Sequence, residues 1–286
     1  MEKVFITGAA GFLGKHLIKE FKDRGYEVYG IVKPHHNTKK IENLDVKFVK
    51  GEIFNKKDYF DLVPKDCSVV HCYSLSPGAH ETEEVYQKQN VEATKVLLEV
   101  CREKKIKKLI YISSLSVVGP GAKDGEMMTE DSVPNPDNFY GKSKLAAEKL
   151  VKEYYNETKV PVSVLRLSTL FGPGAHKNAA TLRLFRFMKK PVHVLLDGGE
   201  QEYELNYIKN IVHGVILAYD KVESFGLYNL GDVQKKKYKE VVKTMAKYIN
   251  PSVKFISLPR ILFVLPAKVG DFIGEVRGKR FVFDSR

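Results

Sequence analysis

A tyrosine and a lysine four residues apart, Tyr140 and Lys144, are the pair in this chain best suited to proton transfer. On a helix, residues with this spacing lie on one face, one turn from each other. A nearby ammonium favours tyrosinate, so Tyr140 is predicted to exchange a proton with a carbonyl or an alcohol. The serine-rich segment 113–116 offers a hydroxyl that can donate to the same substrate oxygen. The Tyr-x-x-x-Lys spacing alone is also common on solvated helices.

A glycine-rich segment, residues 7–14, predicts a cofactor-binding site beside this pair. Gly8 permits a tight turn after an apolar strand, Gly11 allows close approach of a pyrophosphate, and Gly14 lets the next helix pack against a sheet. Phe12 and Leu13 begin that helix, where unpaired backbone amides face phosphate charge. The GxxGxxG spacing in a strand–turn–helix context predicts a dinucleotide site. Lys144 would then also hold the nicotinamide ribose.

The end of the second predicted strand indicates which dinucleotide is preferred. An acid there binds the 2′-hydroxyl of NAD, whereas a cation accommodates the 2′-phosphate of NADP. Lys33 occupies this end, Lys39 and Lys40 follow, and the first acid is Glu42. The pattern favours NADP over NAD. The alternative is that Lys33 is only a solvated strand end.

Short apolar segments alternate with amphipathic ones over the first part of the chain, which predicts parallel strands joined by helices. We expect an α/β fold with a doubly wound parallel sheet (Rossmann) and a smaller C-terminal substrate-binding lobe. The predicted domains are 1–166, which binds the dinucleotide, and 167–286, interleaved with the sheet. The predicted strands are 2–7, 27–32, 46–49, 68–71, 109–112, 162–165 and 227–230, and the predicted helices are 12–24, 81–104, 140–156, 181–188, 209–220 and 238–249.

Composition narrows the class of protein. The 286 residues include 47 Lys+Arg and 35 Asp+Glu, a net charge of +12, but the lysines are dispersed and no specific nucleic-acid module accompanies them. Three cysteines without metal-ligand spacing indicate a reducing, cytoplasmic setting and no metal site. No apolar run is long enough for a transmembrane segment. The apolar stretch 261–273 is interpreted as a core or pocket-lid segment, with membrane-surface contact as the alternative.

Taken together, the motifs resemble the extended short-chain dehydrogenase/reductase family, over nearly the whole chain. The resemblance implies that Ser114, five residues before Gly119, is catalytic, and that Asn90 lies near the active site. It places Glu52 and Ile53 at the adenine, with Glu52 where the family usually has Asp. Tyr73 stands among the cofactor contacts, where the family usually has a small residue. Family members often form homodimers through two long helices, here 81–104 and 140–156.

The branch of the family is harder to assign from the sequence. Nucleotide-sugar epimerases and dehydratases usually grip a diphosphate with an arginine at the position of Tyr203, although Arg183 and Arg186 offer substitutes. The run 206–214 is similar to the 3β-hydroxysteroid dehydrogenase and dihydroflavonol reductase-like branch. We therefore expect an NADP-preferring oxidoreductase acting on a ketone or secondary alcohol. The alternatives are an epimerase or dehydratase with tightly held NAD, and a catalytically silent cofactor-sensing or nucleic-acid-associated protein.

Overall fold

The structure, a computed structural model, describes residues 1–77, 82–119, 128–175, 179–231 and 236–262. The strands are β1 Lys3–Thr7, β2 Glu27–Val32, β3 Lys47–Lys50, β4 Ser68–His71, β5 Lys108–Ser114, β6 Val162–Leu167, β7 Leu170–Phe171, β8 Val192–Leu196, β9 Glu202–Tyr203, β10 Asn206–Tyr207, β11 Phe225–Leu230, β12 Lys236–Lys237 and β13 Lys254–Leu258. The α-helices are α1 Phe12–Asp23, α2 Lys39–Glu42, α3 Glu83–Tyr86, α4 Ala93–Lys104, α5 Phe139–Thr158, α6 Ala180–Met188, α7 Ile208–Lys221 and α8 Tyr238–Ile249.

A seven-stranded parallel sheet organises the molecule, in the order β11-β6-β5-β4-β1-β2-β3. The chain builds outward from β1 in both directions, so the strand order reverses between β1 and β4. Thr7, the last residue of β1, aligns with Ile31 of β2 and with His71 of β4. In such sheets the crevice beyond the carboxyl ends of the strands at this reversal is where ligands bind. The predicted doubly wound parallel sheet is confirmed.

The apolar character of the strands follows from burial on both faces. Successive side chains of a strand point to opposite faces. In β1, Val4 and Ile6 join one core cluster with Leu17 of α1, whereas Phe5 joins a second cluster with Leu97 of α4. Because helices cover both faces, the central strands read as continuous apolar runs rather than as alternating ones.

The described residues divide into two compact units. The first contains 1–77, 82–119, 128–173 and 206–231, and the second contains 174–175, 179–205 and 236–262. Residues 206–231 therefore return to the first unit, where β11 completes the sheet beside β6. The chain thus passes between the units more than once.

The second unit has a small core of its own. Strands β8 and β13 pair in parallel, β9 and β12 pair antiparallel, and α6 packs against α8. The buried apolar side chains are Leu184, Met188, Leu195, Val242, Ala246 and Val253. The sequence did not predict β8 and β13. In β8 both the exposed Val192 and Val194 and the buried Leu195 are apolar, so the alternation that marks a half-buried strand is missing.

The sequence also did not predict the short elements α2, β7, β9, β10 and β12. The predicted elements lie close to their expected positions, with one informative difference. The predicted helix 81–104 is not one regular α-helix in its described part, because Gln87–Glu92 is π-helical between α3 and α4. Such segments are frequent at functional sites, since they turn side chains away from the regular helical positions. Within the described ranges, no helix combines the length and apolar character needed to cross a membrane. Most of the 261–273 stretch lies outside the described residues.

Candidate active site

The turn between β1 and α1 is too tight for side chains at three positions. Gly8 has a φ of +67°, the left-handed conformation that glycine adopts without strain, and a Cβ there would lie 2.9 Å from the Tyr73 backbone nitrogen. A Cβ at Gly11 or Gly14 would lie 2.8 or 2.3 Å from the Gly8 carbonyl oxygen. The three glycines are therefore required by the backbone of the turn itself.

This turn presents the start of α1 as a place for an anion. Gly11 caps the helix without a side chain, and no acidic side chain lies in the first turn. The first N–H groups of a helix lack intrahelical partners, so those of Phe12, Leu13 and Gly14 are suited to negative charge. Leu13 is buried and Phe12 is half-buried, which fixes the helix against the core. The glycine cradle fits the pyrophosphate of a dinucleotide.

Lys33 lies just beyond the end of β2 and is held by two neighbours. Its Nζ donates to Gln89 Oε1 at 3.1 Å and sits 5.0 Å from the centroid of the Tyr73 ring. The Tyr73 hydroxyl donates to the same Gln89 oxygen. The cation is thus fixed beside Tyr73, whose backbone lies against the glycine turn. Lys39 begins α2 with an exposed side chain, and the side chain of Lys40 is outside the described part.

Glu52 and Ile53 follow β3, the edge strand on this side of the sheet. The Glu52 backbone N–H donates to Asp58 Oδ2 at 2.8 Å, which fixes the course of the segment. Ile53 is fully buried in the core cluster that contains Phe5 and Tyr59. The half-buried Glu52 side chain is left at the surface of this segment.

Tyr140 is placed by the way α5 begins. Asn138 caps the helix by accepting from the Gly141 N–H at 2.8 Å, and a Cβ at Gly141 would lie 2.3 Å from the Ser116 carbonyl oxygen. The helix therefore starts directly against the loop after β5. Burial raises the pKa of Tyr140, and side-chain hydrogen bonding to Ser114 and to Ser74 opposes that rise. The phenol is protonated at neutral pH.

Ser114, the last residue of β5, is buried at 8% exposure. Its hydroxyl accepts from the Ser116 N–H at 3.2 Å and contacts the Ser116 hydroxyl at 3.1 Å. Ser114 is thus held at the strand end and beside the phenol of Tyr140. Ser74, which the sequence analysis did not single out, approaches the same phenol from the segment after β4.

Lys144 lies one turn further along α5 and is 1% exposed. Its Nζ donates to the Ile112 carbonyl oxygen at 2.7 Å and lies 4.3 Å from the centroid of the Tyr111 ring. Burial lowers the pKa of Lys144 to about 7, with Glu148 and Cys72 opposing the change. The residues that lower the pKa of Tyr140 are the two serines, while the lysine is engaged with β5.

Asn90 lies in the π-helical segment and is 2% exposed. Its Oδ1 accepts from the Leu75 N–H at 2.8 Å and from the Ser74 hydroxyl at 3.2 Å, and its Nδ2 donates to Ser143 Oγ at 2.9 Å. Asn90 therefore joins the segment after β4 to α5. The neighbouring Gln89 points to Lys33 and Tyr73, so the π-helical turn serves both parts of the site.

A buried histidine connects the glycine turn to this helix. Thr7 Oγ1 lies 2.6 Å from His71 Nδ1, and His71 Nε2 lies 3.0 Å from Thr94 Oγ1. The Thr94 hydroxyl donates to the Asn90 carbonyl oxygen at 2.6 Å, so His71 Nε2 must be the donor to Thr94 and Nδ1 the acceptor from Thr7. Burial lowers the pKa of His71 to about 3, which agrees with a neutral ring.

The structure thus brings Ser114, Tyr140, Lys144 and Asn90 together around the ends of β4 and β5. Gly8, Gly11, Gly14, Lys33 and Tyr73 lie at the neighbouring ends of β1, β2 and β4, and Glu52 and Ile53 follow β3. Sequence reasoning missed Ser74 and Gln89, whose residue types carry no signal by themselves. In the described ranges, no group of three or more His, Cys, Asp or Glu side chains is arranged to hold a metal ion.

Comparisons with known proteins identify the family of this chain. The model of the NAD dependent epimerase/dehydratase family matches residues 4–231. The chain belongs to this family, so the resemblance drawn from its motifs is confirmed. The prediction of an enzyme of the extended short-chain dehydrogenase/reductase kind is confirmed as well. An uncharacterized UDP-glucose epimerase of Bacillus subtilis is 30% identical over 258 residues, which cover 84% of this chain and 80% of the relative.

Two further proteins show the range of the similarity. The decarboxylating sterol-4-alpha-carboxylate 3-dehydrogenase of Mus musculus is 29% identical over 220 residues, which cover 76% of this chain and 59% of that protein. The chain thus spans less than two thirds of the length of this relative. A crystal structure of UDP-glucuronic acid 4-epimerase from Bacillus cereus in complex with NAD has a TM-score of 0.77 and 28% identity, covering 90% of this chain and 86% of the other.

Proposed function

We propose that this chain transfers hydride between a nicotinamide dinucleotide and a ketone or secondary alcohol, with Tyr140 as the acid/base. The observation that carries the proposal is the meeting of the Tyr140 phenol with the Ser114 hydroxyl beside a glycine turn that accepts a pyrophosphate. When bound, the dinucleotide supplies or accepts the hydride. The chain's own groups bind it, orient the substrate oxygen and move the proton.

The residues proposed to hold the dinucleotide extend across the carboxyl ends of four strands. The amides of Phe12, Leu13 and Gly14 face the pyrophosphate, and Gly8 and Gly11 shape the turn. The adenine side is assigned to Glu52 and Ile53 after β3 and to Tyr73 after β4. Lys144 is assigned to the nicotinamide ribose, to whose hydroxyls its ammonium would donate.

The proton is proposed to move at the Tyr140 hydroxyl. Because burial raises the pKa of this phenol, it carries its proton at neutral pH and is ready to donate to a carbonyl oxygen. Ser114 donates a second hydrogen bond to the same oxygen, where charge develops in the transition state. Asn90 positions the segment after β4 and the start of α5 through Leu75 and Ser143. In the oxidative direction the same phenol receives the proton as tyrosinate.

We further propose a preference for NADP over NAD. The support is Lys33, a cation fixed by Gln89 and Tyr73 at the end of β2 where a 2′-phosphate would lie. The solved relative from Bacillus cereus contains NAD. The proposed preference therefore rests on the local charge of Lys33 alone.

We also propose a cytoplasmic homodimer formed through α4 and α5. The support for the compartment is that the three cysteines are unpaired and that burial raises the pKa of the Cys67 thiol to about 12, which keeps it inert. Sedimentation velocity of the purified protein tests the dimer. Charge-reversing substitutions on the exposed Lys149 and Lys152 of α5 should dissociate it if the proposal is right.

A second candidate, a nucleotide-sugar epimerase or dehydratase, is supported by the Bacillus relatives. In the second unit, Tyr203 stands at the position of that branch's diphosphate-binding arginine, and the nearby Arg183 guanidinium opposes the rise that burial causes in the tyrosine pKa. The closeness of this cation to Tyr203 supports the second candidate. Native mass spectrometry distinguishes the candidates, because an epimerase regenerates its cofactor and retains NAD, whereas an oxidoreductase exchanges it.

The proposal is tested by comparing Tyr140→Phe with Tyr155→Phe, a half-buried tyrosine on the same helix. A screen of ketones, alcohols and nucleotide sugars first identifies a substrate. Tyr140→Phe should reduce turnover by about 10²–10⁴-fold with dinucleotide affinity nearly unchanged, because only the proton-donating hydroxyl is removed. Tyr155→Phe should retain activity. Near wild-type turnover in Tyr140→Phe would exclude this phenol as the acid/base.

A further inference from the structure

Three charged side chains lie buried together behind the proposed active site. Lys144, Glu148 and Arg166 are 1%, 8% and 3% exposed. Buried charges are costly unless they are paired and hydrogen-bonded. The proposed reaction assigns a role to Lys144 alone, so the carboxylate and the guanidinium need an explanation.

Glu148 is fixed from two strands of the sheet. Arg166 of β6 donates from Nε to Glu148 Oε1 at 3.0 Å and from Nη2 to Oε2 at 2.8 Å. The Ser113 hydroxyl of β5 also donates to Oε1. Ser113 and Arg166 are register partners, so both donors reach the carboxylate from adjacent strands. A bidentate arginine pair with a third donor fixes the position of the carboxylate.

Lys144 and Glu148 are four residues apart on α5, so their side chains share one face of the helix. The lysine ammonium donates to Ile112 of β5, the residue before Ser113. Two successive residues of one strand therefore hold the lysine and the glutamate. This arrangement fixes the place of the ammonium relative to the end of β5, where Ser114 lies.

We propose that Glu148, anchored by Arg166 and Ser113, is a positioning residue that acts on Lys144 through its charge and stabilises the lysine ammonium. The inference rests on the proposed function, in which that ammonium serves the nicotinamide ribose. Without the carboxylate, a fully buried amine would give up its proton and lose its charge at neutral pH. Arg166 and Ser113 keep the Glu148 carboxylate from moving toward the lysine.

Other groups near Lys144 cannot supply the same charge. Cys72 and His71 approach from the end of β4, but burial raises the pKa of Cys72 to about 12 and lowers that of His71 to about 3, so both are neutral. Tyr111 of β5 offers its ring face, and burial raises its pKa. Tyr140 on α5 is protonated as well. Among these described groups, Glu148 supplies the negative charge.

The test measures the protonation of Lys144 directly, by NMR of protein labelled with ¹³C at the lysine Cε positions. The Lys144 signal is identified by its loss in Lys144→Met. In Glu148→Gln we expect its titration midpoint to fall by about one pH unit or more, since an adjacent negative charge is removed. Glu148→Asp, which keeps the charge, should restore much of the difference. Glu153→Gln, an exposed glutamate on the same helix, should leave the midpoint unchanged.

Glu148→Gln leaves Arg166 without its carboxylate and is vulnerable to misfolding. The double variant Glu148→Gln with Arg166→Gln removes both charges together, and its midpoint should also fall. A midpoint within about 0.3 pH units of the wild type, in whichever of these variants folds, overturns the proposal. The NMR titration needs no cofactor. Failure of wild-type protein to bind NADPH or NADH would therefore refute the proposed function separately, and the midpoint would still decide the role of Glu148.

Discussion

Replacing Lys144 by methionine is expected to stabilise the protein at neutral pH while removing the proposed ammonium. The lysine is 1% exposed, and burial lowers its pKa from 10.5 to about 7 in the folded state. Between these values the unfolded chain binds more protons than the folded one, so stability rises with pH across this window. Below about pH 7 the full cost of burying the amine is present.

The size of the effect follows from this difference. At about 1.4 kcal/mol per pKa unit, the wild type at pH 7 is destabilised by about 5 kcal/mol relative to strongly alkaline pH. The attraction of Glu148 is already contained in the lysine pKa. Methionine fills a similar volume but leaves the Ile112 carbonyl without its donor, which costs about 1–3 kcal/mol. The expected net gain at pH 7 is about 2–4 kcal/mol.

Urea unfolding of cofactor-free wild type and Lys144→Met, at about pH 7 and about pH 9.5, measures this gain. The advantage of the variant should nearly vanish at the higher pH, because the wild type no longer has to bury a protonated amine. Lys65→Met, at an exposed lysine outside the helices proposed for the dimer, serves as the control and should show no such pH dependence. A variant less stable than wild type at pH 7, or a difference that does not change with pH, would refute the reasoning.

Three further outcomes are expected. Lys33→Asp should weaken NADPH binding by about 1–3 kcal/mol relative to NADH, because a charge-assisted phosphate contact becomes a repulsion. Fluorescence titration with both cofactors measures the ratio of the two affinities, and a wild type that prefers NADH contradicts the assignment. Gly14→Ala should abolish binding of either dinucleotide, since its Cβ would lie 2.3 Å from the Gly8 carbonyl oxygen. Wild-type affinity of this variant in a calorimetric titration would contradict the assignment of the pyrophosphate to the glycine turn. Ser114→Ala should lower kcat by about 10²–10³-fold with little change in cofactor affinity, as expected for a donor that acts in the transition state. An unchanged kcat in steady-state assays would exclude the Ser114 hydroxyl from the reaction.

Local sequence was sufficient for the fold of the first unit and for the proposed reactive groups. The apolar strands, the glycine turn and the Tyr140–Lys144 spacing depend on steric and helical rules that operate over a few residues. Those rules placed α1, α5 and α8 close to their observed bounds. They also predicted the doubly wound sheet, because alternating strands and helices with right-handed crossovers leave few other topologies.

Tertiary structure decided how the charges and protons of the site are arranged. The sequence suggested that Lys144 lowers the pKa of Tyr140, yet in the structure the lysine donates to Ile112 and burial raises the pKa of the tyrosine. Glu148 is paired with Arg166 of another strand, a partnership that depends on strand register. Desolvation and long-range pairing depend on which segments surround a group, and the local spacing of residues does not determine those segments. The residue types were therefore readable from the chain, whereas their protonation states followed from the packed structure.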